Sequence, residues 1–509
     1  MLLQMSQITK TYGKTTANSA VDFTLREGEI HALVGENGAG KTTLMRMLYG
    51  MEQPTSGSIR LRGQTVTFAS PVDAIAAGIG MVHQHFMLFP SFTVAENIVI
   101  GREPKAGPSF DRKKAVQQVE QLCADYRMPI NPLMKVADCP LGLQQRVEIL
   151  KVLYQGADII ILDEPTGVLT PLEARDLLVT MKSLAALGKS FIIITHKLHE
   201  VMEVADRVTV LRDGRIRGTL DTSATNAEEL SRLMVGRELA DSVKQASDPG
   251  EVVLEVRDAT LYGGKGRTSK AKAREEKPVL NGVSLQVRAG EVVGIAGISG
   301  NGQSELIQAI AGLQPLDGGE IRLQGTSIAG RSPLAVRGLG LAHIPEDRYQ
   351  WGAAKDGTVL ENGIMGHHRS SARFGLLAGR KLRTMVAGWI SQFQIKAGSQ
   401  EQKAKVLSGG NLQKLIVARE LEGSEPFLIA AEPTRGVDIG AMELIHEELL
   451  RKRSERGAIL LVSSELTEIL KLSDRIVVMY EGRIAGELAA EDATEETISL
   501  LMAGGELRV

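Results

Sequence analysis

Eight consecutive residues, Gly35-Glu36-Asn37-Gly38-Ala39-Gly40-Lys41-Thr42, have the types and spacing of a loop that wraps phosphate. Glycine lets backbone N–H groups curl around phosphate oxygens, and a helix starting at the end of the loop adds a favourable dipole. In such a loop Lys41 neutralises charge on the β- and γ-phosphates of ATP, the Thr42 hydroxyl serves as a ligand for Mg²⁺, and Thr43 follows on the nucleotide side. Further along, the apolar run at residues 159–162 ends in two acids, Asp163 and Glu164. The Asp163 carboxylate suits Mg²⁺, and Glu164 suits the general base that polarises an attacking water. A second apolar run at 191–195 then delivers His196, in the right order to sense a γ-phosphate. Tyr12 offers a ring for stacking on adenine. The chemistry implied is hydrolysis of ATP.

These side chains need particular elements behind them. The apolar segment 30–34 precedes the phosphate loop and a helical run at 43–49 follows it, which predicts strand, loop and helix in that order. Elsewhere apolar runs bounded by Gly and Asp alternate with longer helical patterns, so the expected class is α/β with a largely parallel sheet.

The pattern occurs twice. Gly28-Glu29-Ile30 returns as Gly290-Glu291-Val292, an offset of 290 − 28 = 262. Glu164-Pro165-Thr166 returns as Glu432-Pro433-Thr434, and Asp206-Arg207-Val208 as Asp474-Arg475-Ile476, both offset by 268 (432 − 164 and 474 − 206). Small insertions therefore separate the first motif from the others. The expected organisation is a first domain at 1–238, a linker at 239–250 ending in Asp248-Pro249-Gly250, and a second domain at 251–509. The basic, Gly-rich stretch 263–277 reads as a solvated loop, with contact to anionic lipid headgroups as the alternative.

Composition narrows the function. A length of 509 residues exceeds what one core usually supports. A net charge of −2 argues against nucleic acid as a partner. The two cysteines, Cys123 and Cys139, lack the spacing of a metal site and suit a reducing compartment. No signal peptide opens the chain and no apolar run is long enough to span a membrane, so any path across one must be built by other chains. His83 and His85, and the pair His367-His368, lack the carboxylate or cysteine company that a metal site needs.

The order of these motifs resembles that of ABC transporter ATPases, over nearly the whole chain and twice. On that resemblance the fold is two tandem P-loop NTPase domains, each with a parallel sheet core and a helical subdomain. Gln84 resembles the family's glutamine that reaches the nucleotide and its Mg²⁺, and Leu407-Ser408-Gly409-Gly410-Asn411 resembles its signature sequence. The family arrangement implies head-to-tail domains, with each ATP between one P-loop and the other domain's signature. Ser408, Gly409, Gly410 and Asn411 would then serve the ATP held by Lys41. The segments Val82-His83-Gln84-His85-Phe86-Met87-Leu88, residues 142–151, and Glu346-Asp347-Arg348 are similar to the nucleoside branch of the sugar and nucleoside importers. The resemblance implies two integral-membrane permeases as partners, an extracytoplasmic substrate-binding protein acting indirectly, and a peripheral place on the cytoplasmic face. The apolar run 86–90, with Glu96 and Asn97 nearby, would help form the groove that receives a permease helix. Riboflavin or a sugar is the alternative cargo. A ribosome-acting tandem protein of the same family is a rival that the short seam and the degraded second site disfavour. A regulator that binds ATP without turnover is another, opposed by the intact 164–196 set.

Departures from the pattern fall on one side. The second loop runs from Gly297 to Gly302, Gln303 and Ser304, with glutamine in place of lysine. Ala431 stands where Asp163 does, Ser464 replaces His196, and Glu346 replaces Gln84, while Glu432 survives. In the first half's signature Pro140 takes the serine position and has neither a hydroxyl nor a backbone N–H to give. Under head-to-tail pairing every loss falls on one composite site, so the expectation is an asymmetric motor hydrolysing ATP at the first.

Overall fold

At residues 159–162 three isoleucines and a leucine run without interruption, and all are buried. Such a run suits a central parallel strand covered on both faces. In the computed structural model it lies inside a six-stranded sheet. From edge to edge the strands are Arg215–Asp221, Arg207–Arg212, Ile30–Val34, Ser190–Thr195, Ile159–Asp163 and Ile79–Val82. All neighbours are parallel except the Arg215–Asp221 edge strand, which returns antiparallel. The structure describes residues 1–13, 15–36, 38–83, 86–167, 169, 171–235, 244, 248–263, 277–298, 300–368, 372–373 and 376–505.

A second sheet, antiparallel and four-stranded, accompanies the first: Thr15–Leu25, Leu3–Tyr12, Ser56–Leu61 and Gln64–Val66. Its inner face, carrying Leu3, Met5, Ile8 and Phe23, packs with Leu44, Met45 and Leu48 of the helix Lys41–Leu48 and with Ile159, Ile161 and Ile192 of the parallel sheet. The phosphate loop is thus held between two sheets. A helical region of Val94–Val99, Arg112–Asp125 and Leu141–Tyr154 completes the half.

The chain divides into two units, Met1–Leu239 and Ala240–Val509. The second repeats the plan. Its six-stranded sheet runs Leu341–Ile344, Phe427–Ala431, Ala458–Val462, Val292–Ala296, Arg475–Tyr480 and Arg483–Ala489, beside an antiparallel sheet built on Val252–Tyr262 and Pro278–Arg288. Most of the expected linker and residues 264–276 of the basic stretch lie outside the described residues.

The repeated triplets have structural work in both halves. Asp206 accepts from the Ile30 N–H at 2.8 Å and Asp474 from the Val292 N–H at 2.9 Å. Arg207 pairs with Glu29 at 3.0 Å and Arg475 with Glu291 at 3.0 Å. These contacts satisfy the start of the strand that leads into each phosphate loop. The six-residue drift can also be located. Thr93 and Lys135 bridge in the first half, and Thr358 and Lys403 in the second. Their offsets are 358 − 93 = 265 and 403 − 135 = 268. Three residues therefore enter before Thr358, where a π-helical turn covers Arg348–Gly352, and three more before Lys403.

Candidate active site and its degenerate copy

The phosphate loop closes on its own lysine. Lys41 is buried, and its Nζ donates to the Gly35 carbonyl at 2.6 Å and the Glu36 carbonyl at 3.0 Å. Burial pushes Lys41 below the usual lysine range, opposed by the negative charges of Glu164 and Asp163. Gly40 caps the helix Lys41–Leu48 at φ +102°, and a Cβ there would stand 2.4 Å from the Ala17 carbonyl oxygen. Only glycine fits both demands. Asn37 and Gln84 lie outside the described residues.

Beside the loop, the Thr42 hydroxyl is 3.4 Å from Asp163 Oδ2. Asp163 ends its strand buried, and its carboxyl is raised to about 6, first by burial and then by the charge of Glu164. A cation here would relieve that repulsion, and hydroxyl plus carboxylate is the oxygen donor set that Mg²⁺ takes, so these residues fit the metal. Glu164 turns out of the strand at φ +48°, its N–H bonded to the Ile194 carbonyl at 2.9 Å. That left-handed backbone is uncommon for a non-glycine residue and aims the carboxylate toward the end of the neighbouring strand. There His196 Nδ1 stands 3.4 Å from Glu164 Oε1. The His196 ring draws the Glu164 carboxyl below its ordinary range, against the opposing effect of burial.

The second half keeps the backbone and changes the side chains. Gln303 occupies the lysine position, and its Nε2 donates to the Ile298 carbonyl at 3.2 Å; a Cβ on Gly297 would collide with that amide. Gly302 caps its helix at φ +101°, matching Gly40. The Ser304 hydroxyl donates to Glu346 at 2.6 Å, so the two residues replacing Thr42 and Gln84 satisfy each other. Ala431 supplies no oxygen ligand, so the carboxylate that faces Thr42 in the first half has no counterpart at that position here. Glu432 takes φ +49° and is raised to about 7, chiefly by burial.

Two stretches, residues 19–167 and 280–435, match the ABC transporter family model. The chain belongs to the ABC transporter family. Among its relatives are the nucleoside import ATP-binding protein of Lactococcus lactis subsp. cremoris, 42% identical over 99% of both chains, and the guanosine import ATP-binding protein of Bacillus subtilis, 45% identical over 99% of this chain and 97% of that one. A glucose import ATP-binding protein of Haloferax volcanii is 44% identical over 99% of this chain and 96% of that one. The expected family, ATPase activity and tandem α/β fold are thus established, and among the described residues no helix is long and apolar enough to cross a membrane.

In this ABC protein the two signature positions differ as their residues dictate. Ser408 caps the helix Gly409–Leu421, accepting from the Asn411 N–H at 3.3 Å and from Asn411 Nδ2 at 2.8 Å. Gly410 lies under the Gly436 carbonyl, where a Cβ would stand 2.8 Å away. Pro140, at the start of the helix Leu141–Tyr154, gives no side-chain cap. Tyr12 is about half exposed, its hydroxyl bonded to Glu52 and Lys10 Nζ 5.1 Å above its ring. His367 Nε2 meets the Arg419 carbonyl at 2.8 Å.

One contact behind the acids escapes the sequence reading. The Thr166 hydroxyl donates to buried Glu200 at 2.8 Å, and Thr434 donates to Glu468 at 2.8 Å, anchoring the turn after each glutamate. The signal was present, since Glu200 and Glu468 share the offset of the glutamates themselves (468 − 200 = 268).

Proposed function

We propose that this chain is the ATP-hydrolysing subunit of a bacterial importer for a nucleoside-type molecule, with one hydrolytic site. The observation that carries the reading is the complete set Lys41, Thr42, Asp163, Glu164 and His196 in one half, beside a second half lacking lysine, aspartate and histidine at the matching positions. Lys41 exchanges its carbonyl partners for phosphate oxygens, Glu164 takes the proton of the attacking water, and His196 holds Glu164 and the γ-phosphate region in register. Thr42, Asp163 and Gln84 would hold Mg²⁺, which supplies charge neutralisation at the phosphates. Residues 408–411 remain assigned to the same ATP on the family arrangement, and Tyr12 to adenine. Two permease subunits and an extracytoplasmic receptor complete the system, with this chain peripheral on the cytoplasmic face.

Relatives named for nucleoside and guanosine import support the cargo, as do the sequence segments similar to that branch. The glucose relative of comparable identity makes sugar the competing cargo. Binding by the extracytoplasmic receptor that works with this chain, screened against nucleosides, riboflavin and simple sugars, tests the point. Nucleoside binding is expected; sugar or riboflavin binding overturns the cargo and leaves the motor standing.

A further inference from the structure

Outside the nucleotide site, one residue has both of its backbone groups held by a charged pair. Met87 N–H donates to Glu148 Oε1 at 2.6 Å, and Lys151 Nζ donates to the Met87 carbonyl at 3.2 Å. Lys151 and Glu148 face each other at 3.5 Å, with Glu148 buried. Both belong to the helix Leu141–Tyr154, the one that opens at Pro140. Met87 itself is 58% exposed, and Phe89 is 50% exposed.

A clasp on an apolar, exposed segment is a poor device for stability. Taking the Glu148 charge out of water costs free energy that a partly exposed lysine barely offsets. The second half nevertheless has its own version. Arg419, at the matching position (419 − 151 = 268), donates to the Gly352 carbonyl at 3.1 Å and the Asn362 carbonyl at 3.0 Å, and pairs with buried Glu420 at 2.9 Å. There the lysine, aspartate and histidine of the nucleotide site are gone, yet a buried base on the matching helix Gly409–Leu421 still grips backbone carbonyls of the segment that follows the strand Leu341–Ile344. The carboxylate partner has moved from three residues before the base to the residue after it, so the feature common to both halves is the base and its carbonyl target. The grip therefore answers to something other than nucleotide.

We propose that Glu148 and Lys151 are positioning residues that lock Met87, and with it the segment 86–90, to the helix Leu141–Tyr154, so that a membrane partner seated on that segment moves the helix with it. This rests on the reading of 86–90 as part of the permease groove. Loss of the clasp leaves hydrolysis by the chain alone and breaks its response to the permeases.

The test measures ATP hydrolysis by the full chain alone and by the chain assembled with its two permeases, for the natural sequence and for Glu148→Ala, Lys151→Met and Lys151→Arg. The expected result is hydrolysis by the chain alone within about twofold for every variant, assembly retained, and the permease-dependent change in rate reduced about tenfold in Glu148→Ala and Lys151→Met, the size of one lost charge-assisted hydrogen bond. Lys151→Arg keeps a donor and keeps the response. Variants that respond like the natural chain overturn the inference, and so do variants whose two rates fall in parallel, which mark general damage. A natural chain that assembles but whose rate does not change also overturns it. Failure of the natural chain to assemble with the permeases overturns the importer reading as well, which separates the two failures.

Discussion

Ser464 gives Glu432 two hydrogen bonds, from its backbone N–H at 2.7 Å and its hydroxyl at 3.1 Å. The corresponding histidine, His196, instead presents a ring nitrogen 3.4 Å from Glu164. Both glutamates sit on the same left-handed backbone, φ +48° and +49°, so the fold delivers a carboxylate to the same place twice. Chemistry separates them: His196 draws one glutamate down, while burial raises the other to about 7 in a half where Ala431 stands at the aspartate position.

Replacing each glutamate by glutamine should therefore have unequal effects. Glu164→Gln removes the proposed base and should lower kcat for ATP hydrolysis by about 10²–10⁴-fold, with nucleotide binding retained. Glu432→Gln should leave kcat within about twofold. Phosphate release under saturating ATP measures both, and normal turnover in Glu164→Gln would remove the proposed role.

The raised pKa of Glu432 also predicts a pH dependence of stability. Its folded value, about 7, lies above the ordinary 4.5, so between these values the folded state holds more protons than the unfolded one. The contribution is present below the unfolded pKa and is lost as pH rises through 7. Thermal melts of the nucleotide-free chain from pH 5 to 8 should show a declining transition temperature, and Glu432→Gln should flatten that decline. An unchanged slope in the variant would place the titration elsewhere.

Much of this site could be read from the sequence because its signals are local. Strand, loop and helix around Lys41 follow from apolar periodicity and glycine spacing, and the repeat turned each substitution at 303, 346, 431 and 464 into a comparison with its partner position. Contacts between distant segments were hidden. The strand Leu3–Tyr12 pairs with Ser56–Leu61, and alternation alone does not choose a partner some fifty residues away, so the antiparallel sheet beside each phosphate loop was not foreseen. The left-handed turn at Glu164 was hidden for another reason: glutamate carries no preference for that conformation, and the tertiary bonds of Thr166 and the Ile194 carbonyl impose it.

Gln303 offers a test of what the second site lacks. Its amide already points at a loop carbonyl, as Lys41 does, so lysine fits the same space. In a Lys41→Ala background, Gln303→Lys should tighten ATP binding about tenfold through one charge-assisted contact. Hydrolysis should stay at background, because Ala431 still provides no carboxylate for Mg²⁺. Turnover in that double variant would show that the aspartate position is dispensable.

Phe89 and Phe92 stack with ring centroids 5.3 Å apart, and both remain substantially exposed, at 50% and 42%. The loop beneath them is fixed: Asn97, buried, accepts from the Phe89 N–H at 2.8 Å and donates to the Phe89 and Thr93 carbonyls. A rigid loop that presents two aromatic rings to solvent is suited to covering an apolar surface on another chain. Phe89→Glu should therefore abolish copurification with the permeases while leaving the melting temperature within a few degrees, since the side chain contributes little to its own core. Asn97→Ala should act differently, lowering the melting temperature because buried backbone groups lose their partners. Retained copurification in Phe89→Glu would remove this surface from the permease contact and move the search to the equivalent loop around Trp351, which is likewise exposed.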